Sequence, residues 1–140
     1  MNQTAIAIDI GGTAIKYGLT DNHGSIIWDD VVPTPHTSRE ALTDTILQCI
    51  RTVRSAVPGK TPVCVGIGTP GMVDIERGYV LGSAFQLPGW ENVPLAELIR
   101  KETGLPAYVD NDANLMALGE FRFGKGKKGK NVLFFTLGTG

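Results

Sequence analysis

The feature that most constrains the fold is an alternating apolar run at residues 6–10 that ends in two adjacent glycines, Gly11 and Gly12. A second run of strand-forming residues, 14–19, follows immediately. Two such runs joined by a short glycine-containing link are typical of a β-hairpin. Glycines also let backbone N–H groups approach a ligand without a Cβ in the way. The pattern therefore predicts a hairpin whose turn could face an anion.

The residues around this turn have the chemistry of a phosphate and magnesium site. Thr13 supplies a hydroxyl, Lys16 supplies a cation, and Asp9 at the strand end could hold a metal-bound water. The stretch has neither the Gly-x4-Gly-Lys-Ser/Thr spacing of a P-loop nor the Gly-x-Gly-x-x-Gly fingerprint of a dinucleotide site. An ordinary tight turn would explain the glycines equally well. Both interpretations stay open at this point.

The composition is that of a globular domain. Of the 140 residues, 42% are hydrophobic and 19% are charged, which suits one domain with its own core. A net charge of −1 gives no reason to expect a nucleic-acid or membrane partner. No apolar leader precedes the first strand and no apolar run reaches membrane-spanning length, so we expect a cytoplasmic protein. Cys49 and Cys64 lie in apolar stretches without CxxC spacing, which predicts two buried free thiols.

The rest of the chain alternates between strand and helix patterns. A third strand completes an antiparallel meander, and the apolar run after the first helix suits a parallel strand covered on both faces. Ser38 is a good N-cap for that helix, and Trp90 is predicted to pack in the core. The predicted strands cover residues 5–10, 14–20, 25–32, 62–67, 79–81, 105–109 and 131–136, and the predicted helices cover residues 39–57, 94–103 and 115–123.

Two further loops follow predicted strands. Residues 66–74 read Gly-Ile-Gly-Thr-Pro-Gly-Met-Val-Asp, and residues 110–114 read Asp-Asn-Asp-Ala-Asn. Ligands of open α/β sheets bind beyond the carboxyl ends of strands, so both loops are candidate substrate sites. A structural turn around Pro70 would explain the first loop, and a helix N-cap would explain one residue of the second. The remaining polar residues of the second loop point to a hydroxyl-rich substrate.

A second glycine–threonine turn, formed by Gly138, Thr139 and Gly140, follows the last predicted strand. Two such turns with a carboxylate cluster between them are typical of a phosphate clamp beside an acceptor hydroxyl. The lysine-rich stretch at 124–130 has no interleaved aromatic residues, so we interpret it as a solvated loop and not as a nucleic-acid contact.

Taken together, these motifs resemble the N-terminal half of sugar kinases of the ROK family, the bacterial-glucokinase-like branch of the actin/hexokinase/Hsp70 superfamily. The resemblance covers the whole chain, residues 1–140, and is carried by residues 9–13, 66–74, 87–90, 110–114 and 137–140. It implies an α/β fold, a ribonuclease-H-like, actin-type ATPase domain. Such a domain has a mixed five-stranded sheet, a three-strand meander plus parallel strands, with helices on both faces.

The resemblance also implies a reaction, the ATP-dependent phosphorylation of a hexose or N-acylhexosamine, usually at the 6-hydroxyl. Asp112 matches the general base, and Asn111 matches a neighbouring ligand of the sugar hydroxyls. Gly71 and the loop from Ser83 to Gln86 match regions that line the sugar. Phosphoryl transfer depends mainly on positioning and charge stabilisation, so these few groups suffice for the acceptor side.

On the nucleotide side, the first phosphate turn comprises Gly11, Gly12 and Thr13, with Lys16 nearby, and the second comprises residues 138–140. Asp9 matches the carboxylate associated with Mg²⁺ through water. The family's second half, with its structural zinc motif and adenosine pocket, is not matched by these residues. We therefore expect no zinc in this chain and no activity from it alone, whereas the full-length protein is expected to be a homodimer.

Two positions depart from the family pattern and leave the sugar unidentified. Gln86 stands where many members have Asn, and Met72 offers no polar side chain at a loop position facing the sugar. Two other functions remain open: a non-catalytic sugar- or nucleotide-binding module, and the sugar-sensing part of a ROK transcriptional repressor. The repressor would need a helix-turn-helix ahead of the first glycine turn, where only a few residues stand.

Overall fold

The computed structural model describes residues 3–137. Its elements, in chain order, are β1 (Thr4–Ile10), β2 (Ala14–Asp21), β3 (Ile26–Pro33), α1 (Arg39–Ala56), β4 (Pro62–Thr69), β5 (Met72–Asp74), β6 (Tyr79–Gly82), α2 (Leu95–Thr103), β7 (Ala107–Asn111), α3 (Asp112–Arg122) and a 3-10 helix (Lys125–Lys128). No helix among the described residues is both long enough and apolar enough to cross a membrane.

Five strands form one mixed sheet in the order β3-β2-β1-β4-β7. The first three pair antiparallel as a meander, and β4 and β7 add parallel to β1 and to each other. The mixed five-stranded sheet predicted from the sequence is therefore confirmed. The short strands β5 and β6 form a separate hairpin, so the predicted strand at 79–81 has a partner that the sequence did not indicate.

One face of the sheet forms the core because the apolar residues alternate along β1. Ile6, Ile8 and Ile10 are buried against α1 and α2, whereas Ala7 and Asp9 point to the opposite, outer face. Ser38 caps α1 as predicted, since its Oγ accepts from the backbone N–H of Ala41 at 3.1 Å. The core extends through α2 to Trp90, which is 2% exposed, so the core position predicted for this tryptophan is confirmed.

The third helix lies on the outer face, so helices cover both faces of the sheet. An ideal Cβ built on Gly68 of β4 would lie 3.4 Å from Cδ1 of Leu115, which shows how closely α3 approaches the sheet there. Beyond that contact, a groove of about 850 Å³ separates α3 from β1 and β2. Charged residues that include Asp9, Lys16 and Asp112 line part of the groove, together with apolar side chains. Two of the apolar ones, Ile26 and Met116, are more than half exposed.

The structure corrects three details of the sequence interpretation. Residues 131–136, predicted as a buried strand, pair with no strand among the described residues, and Leu133 and Phe135 are 78% and 82% exposed. Apolar composition gives strand propensity, but a strand forms only where a neighbouring strand supplies hydrogen bonds. Helix α3 begins at Asp112, three residues before the predicted start. Cys49 is buried and free as predicted, whereas the free Cys64 is only half-buried, because its side chain lies on the outer face.

Candidate functional site

The carboxyl ends of the three parallel strands meet at one edge of the sheet. In the strand register Asp9 of β1 lies beside Gly68 of β4, which lies beside Asp110 of β7. The glycine turn, residues 66–74 and the 110–114 cluster therefore come together, as the sequence predicted, although residues 66–74 belong mostly to β4 and β5 and do not form the predicted loop. This edge is where open α/β sheets bind ligands.

Asp9 and Asp112 face each other across Gly68. A Cβ on Gly68 would lie 3.6 Å from Oδ1 of Asp9 and 3.5 Å from Cα of Asp112. Partial burial raises the pKa of Asp9, the negative charge of Asp112 raises it further, and Lys16 on the adjacent strand opposes both effects. A glycine at this position keeps the space between the two carboxyl groups free of side-chain atoms.

Asn111 connects two parts of the site. Its Nδ2 donates to the carbonyl oxygen of Gly71 at 2.9 Å. Its Oδ1 accepts from the backbone N–H groups of Ala113 and Asn114 at 3.0 and 3.3 Å, which makes Asn111 the N-cap of α3. The cap holds Asp112 at the first position of the helix, and the Gly71 contact fixes the connection between β4 and β5 against it.

Asp110 and Asn114 complete the cluster predicted at residues 110–114, in which the sequence assigned individual roles only to Asn111 and Asp112. Oδ1 of Asp110 accepts from the backbone N–H of Asn111 at 2.6 Å and from Nδ2 of Asn114 at 3.0 Å. Both contacts are internal to the cluster. These two residues therefore fix the conformation in which the neighbouring Asn111 and Asp112 are presented.

The loop at residues 82–86 packs closely on Gly71. A Cβ at Gly71 would collide with the carbonyl oxygen of Gly82 and lie 3.2 Å from Cβ of Ala84, and Gly71 has φ 97°. Ser83 also has positive φ, 64°, which is uncommon for a residue with a side chain. The structure thus brings Gly71 and Ser83 together, and only glycine fits at position 71.

Gln86 extends from the same loop toward the first glycine turn. A Cβ on Gly12 would lie 3.4 Å from Cγ of Gln86. The backbone carbonyl of Gln86 contacts Nδ1 of His36 at 3.0 Å, and the carbonyl of Gly89 accepts from Nε of Arg39 at 2.9 Å. The loop predicted to line the sugar is therefore held beside the turn predicted to hold phosphate.

The first glycine turn is more constrained than the sequence indicated. A Cβ on Gly11 would lie 2.7 Å from the carbonyl oxygen of Ala14, so only glycine fits at position 11. Thr13 is exposed at the tip, and the exposed Lys16 lies directly opposite Asp9 in the hairpin. Thr34, a buried residue that the sequence did not identify, donates its hydroxyl to the carbonyl of Gly11 at 2.7 Å. Its only sequence signal is its position between two prolines.

Two further expectations concern metals and the second turn. Within residues 3–137, no three His, Cys, Asp or Glu side chains lie close enough together to enclose a metal ion. Asp9 still fits the predicted Mg²⁺ site, because this ion commonly binds through one or two carboxylates plus waters and phosphate oxygens. The second predicted turn, Gly138, Thr139 and Gly140, lies outside the described residues.

Comparison with known proteins identifies the relatives of this chain. The family model of the ROK family matches residues 5–140. The chain is 42% identical over 137 residues to a glucokinase of Streptomyces coelicolor, covering 96% of this chain and 41% of that enzyme. It is 35% identical over 134 residues to an N-acetyl-D-glucosamine kinase of Salmonella newport, covering 94% of this chain and 42% of that enzyme. A putative xylose repressor of Caldicellulosiruptor is 33% identical over 138 residues, covering 96% of this chain and 34% of that protein.

Solved structures agree with these matches. A ROK family glucokinase from Streptomyces griseus, in complex with glucose and AMPPNP, superimposes with a TM-score of 0.80 at 38% identity, covering 88% of this chain and 38% of that protein. An inorganic polyphosphate/ATP-glucomannokinase from Arthrobacter gives a TM-score of 0.78 at 32% identity, covering 89% of this chain and 50% of that protein. The predicted actin-type ATPase fold is thereby confirmed. The chain spans about two fifths of the length of its kinase relatives.

Proposed function

The chain belongs to the ROK family, and we propose that residues 1–140 are the N-terminal domain of a kinase that transfers a phosphoryl group from ATP to a hexose or N-acylhexosamine, at the 6-hydroxyl. The observation that carries the proposal is the placement of Asp112 beside Asp9 and the first glycine turn. The kinase relatives named above, which act on glucose or N-acetyl-D-glucosamine by their names, support this substrate class.

On the acceptor side, Asp112 is the proposed general base. Its carboxylate takes the proton of the attacking hydroxyl as the new oxygen–phosphorus bond forms, while the bond from the γ-phosphorus to the bridging oxygen breaks and ADP leaves with that oxygen. The proposed sugar-binding residues are Asn111, Gly71, Ser83 and Gln86. The hydrogen bond between Asn111 and the Gly71 carbonyl keeps Gly71 at a fixed position relative to Asp112. Holding the hydroxyl close to the phosphorus supplies most of the acceleration in this reaction class.

On the donor side, the first glycine turn is proposed to bind ATP phosphates through the backbone N–H groups of residues 11–13. Lys16 adds positive charge close to Asp9, and Gly138, Thr139 and Gly140 are proposed to form the second phosphate turn. Asp9 would hold Mg²⁺ through water, and the ion would neutralise charge on the phosphate oxygens. We propose no zinc site in this chain.

The match to a putative xylose repressor supports a second candidate, a sugar-sensing domain without kinase activity. A non-catalytic sugar- or nucleotide-binding module is a third candidate. Both would bind ligand without releasing ADP, so a coupled assay separates them from a kinase. The full-length protein, mixed with Mg-ATP and a panel of hexoses and N-acylhexosamines, is expected to release ADP with at least one sugar. Sugar binding without ADP release would favour the repressor or the binding module.

We also propose that the full-length protein is a cytoplasmic homodimer with no nucleic-acid or membrane partner. Analytical ultracentrifugation of the full-length protein at several concentrations tests the dimer directly. A single species with the mass of one chain at every concentration would contradict it.

A further inference from the structure

Thr34 makes two hydrogen bonds to the first glycine turn, one from its side chain and one from its backbone. Its Oγ1 donates to the carbonyl of Gly11 at 2.7 Å, and its backbone N–H donates to the carbonyl of Thr13 at 3.0 Å. Thr34 is 5% exposed, so both bonds are shielded from water. A buried polar side chain is thus anchored to the part of the molecule proposed to bind phosphate.

The side-chain bond takes the place of the bond that normally closes a turn. In a four-residue turn the first carbonyl commonly accepts from the fourth residue's N–H. Here Gly11 N–H donates to the Ala14 carbonyl at 3.0 Å, but the reverse bond, from Ala14 N–H to the Gly11 carbonyl, is absent from the described structure. The Thr34 hydroxyl occupies that carbonyl instead. The turn is therefore held in an open form.

The geometry of the peptide bond determines where two N–H groups of the turn point once these two carbonyls are fixed. Across a trans peptide, the carbonyl of one residue and the N–H of the next point in opposite directions. With the Gly11 and Thr13 carbonyls directed at Thr34, the N–H groups of Gly12 and Ala14 point away from it. Among residues 3–137, the N–H groups of Gly12 and Thr13 donate to no protein acceptor.

The chain around Thr34 makes this arrangement rigid. Pro33 has a fixed φ, and a residue that precedes a proline, as Thr34 precedes Pro35, is restricted to extended conformations. The backbone around Thr34 therefore loses little conformational freedom when folding places its hydroxyl against the turn. The contacts to the proposed sugar loop come from other residues, His36 and Arg39.

From these observations we propose that Thr34 is a positioning residue that holds the first glycine turn open and keeps the Gly12 N–H directed away from Thr34, toward the phosphates of the nucleotide. The proposal rests on the proposed function for the identity of the ligand. Without the hydroxyl, the Gly11 carbonyl accepts a hydrogen bond from the Ala14 N–H, and the turn closes. The Gly12 N–H then no longer points toward the proposed phosphate site.

The test compares three variants of the full-length protein by titration calorimetry with Mg-AMPPNP and, separately, glucose. Thr34→Val removes the hydroxyl at nearly constant volume, and Thr34→Ser retains it. Thr43→Val is the matched control, because the Thr43 hydroxyl donates to a backbone carbonyl of α1 at 2.9 Å, away from the turn. Circular dichroism monitors folding of all variants.

We expect Thr34→Val to weaken Mg-AMPPNP binding by roughly tenfold, the loss of about one hydrogen bond, while glucose affinity changes less than twofold. Thr34→Ser and Thr43→Val should bind Mg-AMPPNP like the wild type. Unchanged binding by Thr34→Val, an equal loss in Thr34→Ser, or an equal loss of glucose affinity would each overturn the proposal. A wild type that binds Mg-AMPPNP but phosphorylates no sugar contradicts the proposed function alone, whereas a wild type that binds neither Mg-AMPPNP nor sodium tripolyphosphate contradicts both.

Discussion

The indole Nε1 of Trp90 donates to Oγ1 of Thr69 at 2.8 Å, and both residues are buried, at 2% and 0% exposure. Thr69 is the last residue of β4, and Trp90 lies four residues after the loop at 82–86. The bond therefore joins two segments that border the site. Gly71 follows Thr69 by two residues and packs under Ala84 of that same loop. The bond therefore fixes the relative position of the two segments proposed to line the sugar.

The first prediction concerns this bond. Thr69→Val is expected to lower the free energy of unfolding by about 1–3 kcal/mol, because it leaves the buried indole N–H without an acceptor. Urea denaturation followed by far-UV circular dichroism measures the change. Thr69→Ser is the control, since it keeps the hydroxyl, and it should lose clearly less stability. A Thr69→Val protein as stable as the wild type would show that the indole finds another partner.

The second prediction concerns the proposed base. Asp112→Asn keeps the shape of the side chain but removes the proton acceptor, and it should lower kcat of the full-length enzyme by about 10²–10⁴-fold. Sugar affinity, measured by calorimetry, should change much less. The exposed Asp44 of α1 supplies the control, because Asp44→Asn makes the same chemical change away from the site. Near-wild-type turnover by Asp112→Asn would show that another group accepts the proton.

The third prediction separates the two glycines of the first turn. Gly11→Ala should destabilise the fold by about 1–3 kcal/mol, because its Cβ would lie 2.7 Å from the Ala14 carbonyl oxygen. Gly12→Val should leave stability nearly unchanged, since a Cβ there meets only the flexible Gln86 side chain at 3.4 Å.

The bulk added by Gly12→Val should instead raise the KM for ATP in the full-length protein, because it stands in the turn proposed to bind phosphate. Sugar binding measured alone should change less than ATP binding, because the added side chain meets the proposed sugar-binding Gln86 only at its flexible side chain. Thermal denaturation and initial-rate kinetics on both variants distinguish the two roles. Equal loss of ATP and sugar binding by Gly12→Val would indicate misfolding, which would contradict a specific phosphate contact.

The fourth prediction follows from the raised pKa of Asp9. Partial burial is the main cause, followed by the charge of Asp112. Because the folded state binds this proton more tightly than the unfolded chain, the contribution of Asp9 to stability is most favourable below its ordinary pKa of 3.8 and declines as the pH rises through its folded-state pKa.

Asp9→Asn should therefore raise the free energy of unfolding at pH 7, by less than about 1 kcal/mol since solvent screens this accessible carboxylate. The gain should shrink as the pH falls toward 3.8, and kinase activity should fall. Urea denaturation at several pH values, with Asp44→Asn as the control, measures the effect. A variant that is less stable than the wild type at pH 7 would mean that Asp9 makes a stabilising contact that outweighs its desolvation.

The sequence predicted those parts of the fold and site that depend on local patterns. Alternation at Ile6, Ile8 and Ile10 identified the core face, and the polar or glycine-rich residues at strand ends identified the edge where Asp9 and Asp112 meet. In a parallel arrangement those ends must lie side by side. Local order along the chain was therefore enough to predict the assembly of the candidate site.

The remaining features depend on contacts between distant segments. Thr34 reaches the glycine turn because β3 returns beside it. Gln86 lies beside Gly12 because His36 and Arg39 hold its loop there. Residues 131–136 have the composition of a strand, but strand formation depends on a partner that composition does not reveal. Such pairings are tertiary, so no pattern within one segment predicts them.

The last prediction concerns residues 1–140 as an isolated chain. It should fold, because one sheet face carries a continuous apolar core covered by α1 and α2. It should not act as a kinase, because the chain spans only about 41% of its glucokinase relative and phosphoryl transfer requires both substrates to be held. Loss of that positioning can remove most of roughly 7–11 kcal/mol of barrier lowering.

The isolated chain should also self-associate, because Ile26 and Met116 expose 67% and 61% of their surface along the outer-face groove. The purified chain, mixed with Mg-ATP and a panel of hexoses, is assayed for ADP release beside the full-length protein, and sedimentation velocity measures its association. Met116→Lys should reduce that association without altering the circular dichroism spectrum. Sugar-dependent ADP release by the isolated chain would show that residues 1–140 already contain every group the reaction needs, and it would overturn the view that further segments of the protein complete the nucleotide side of the site.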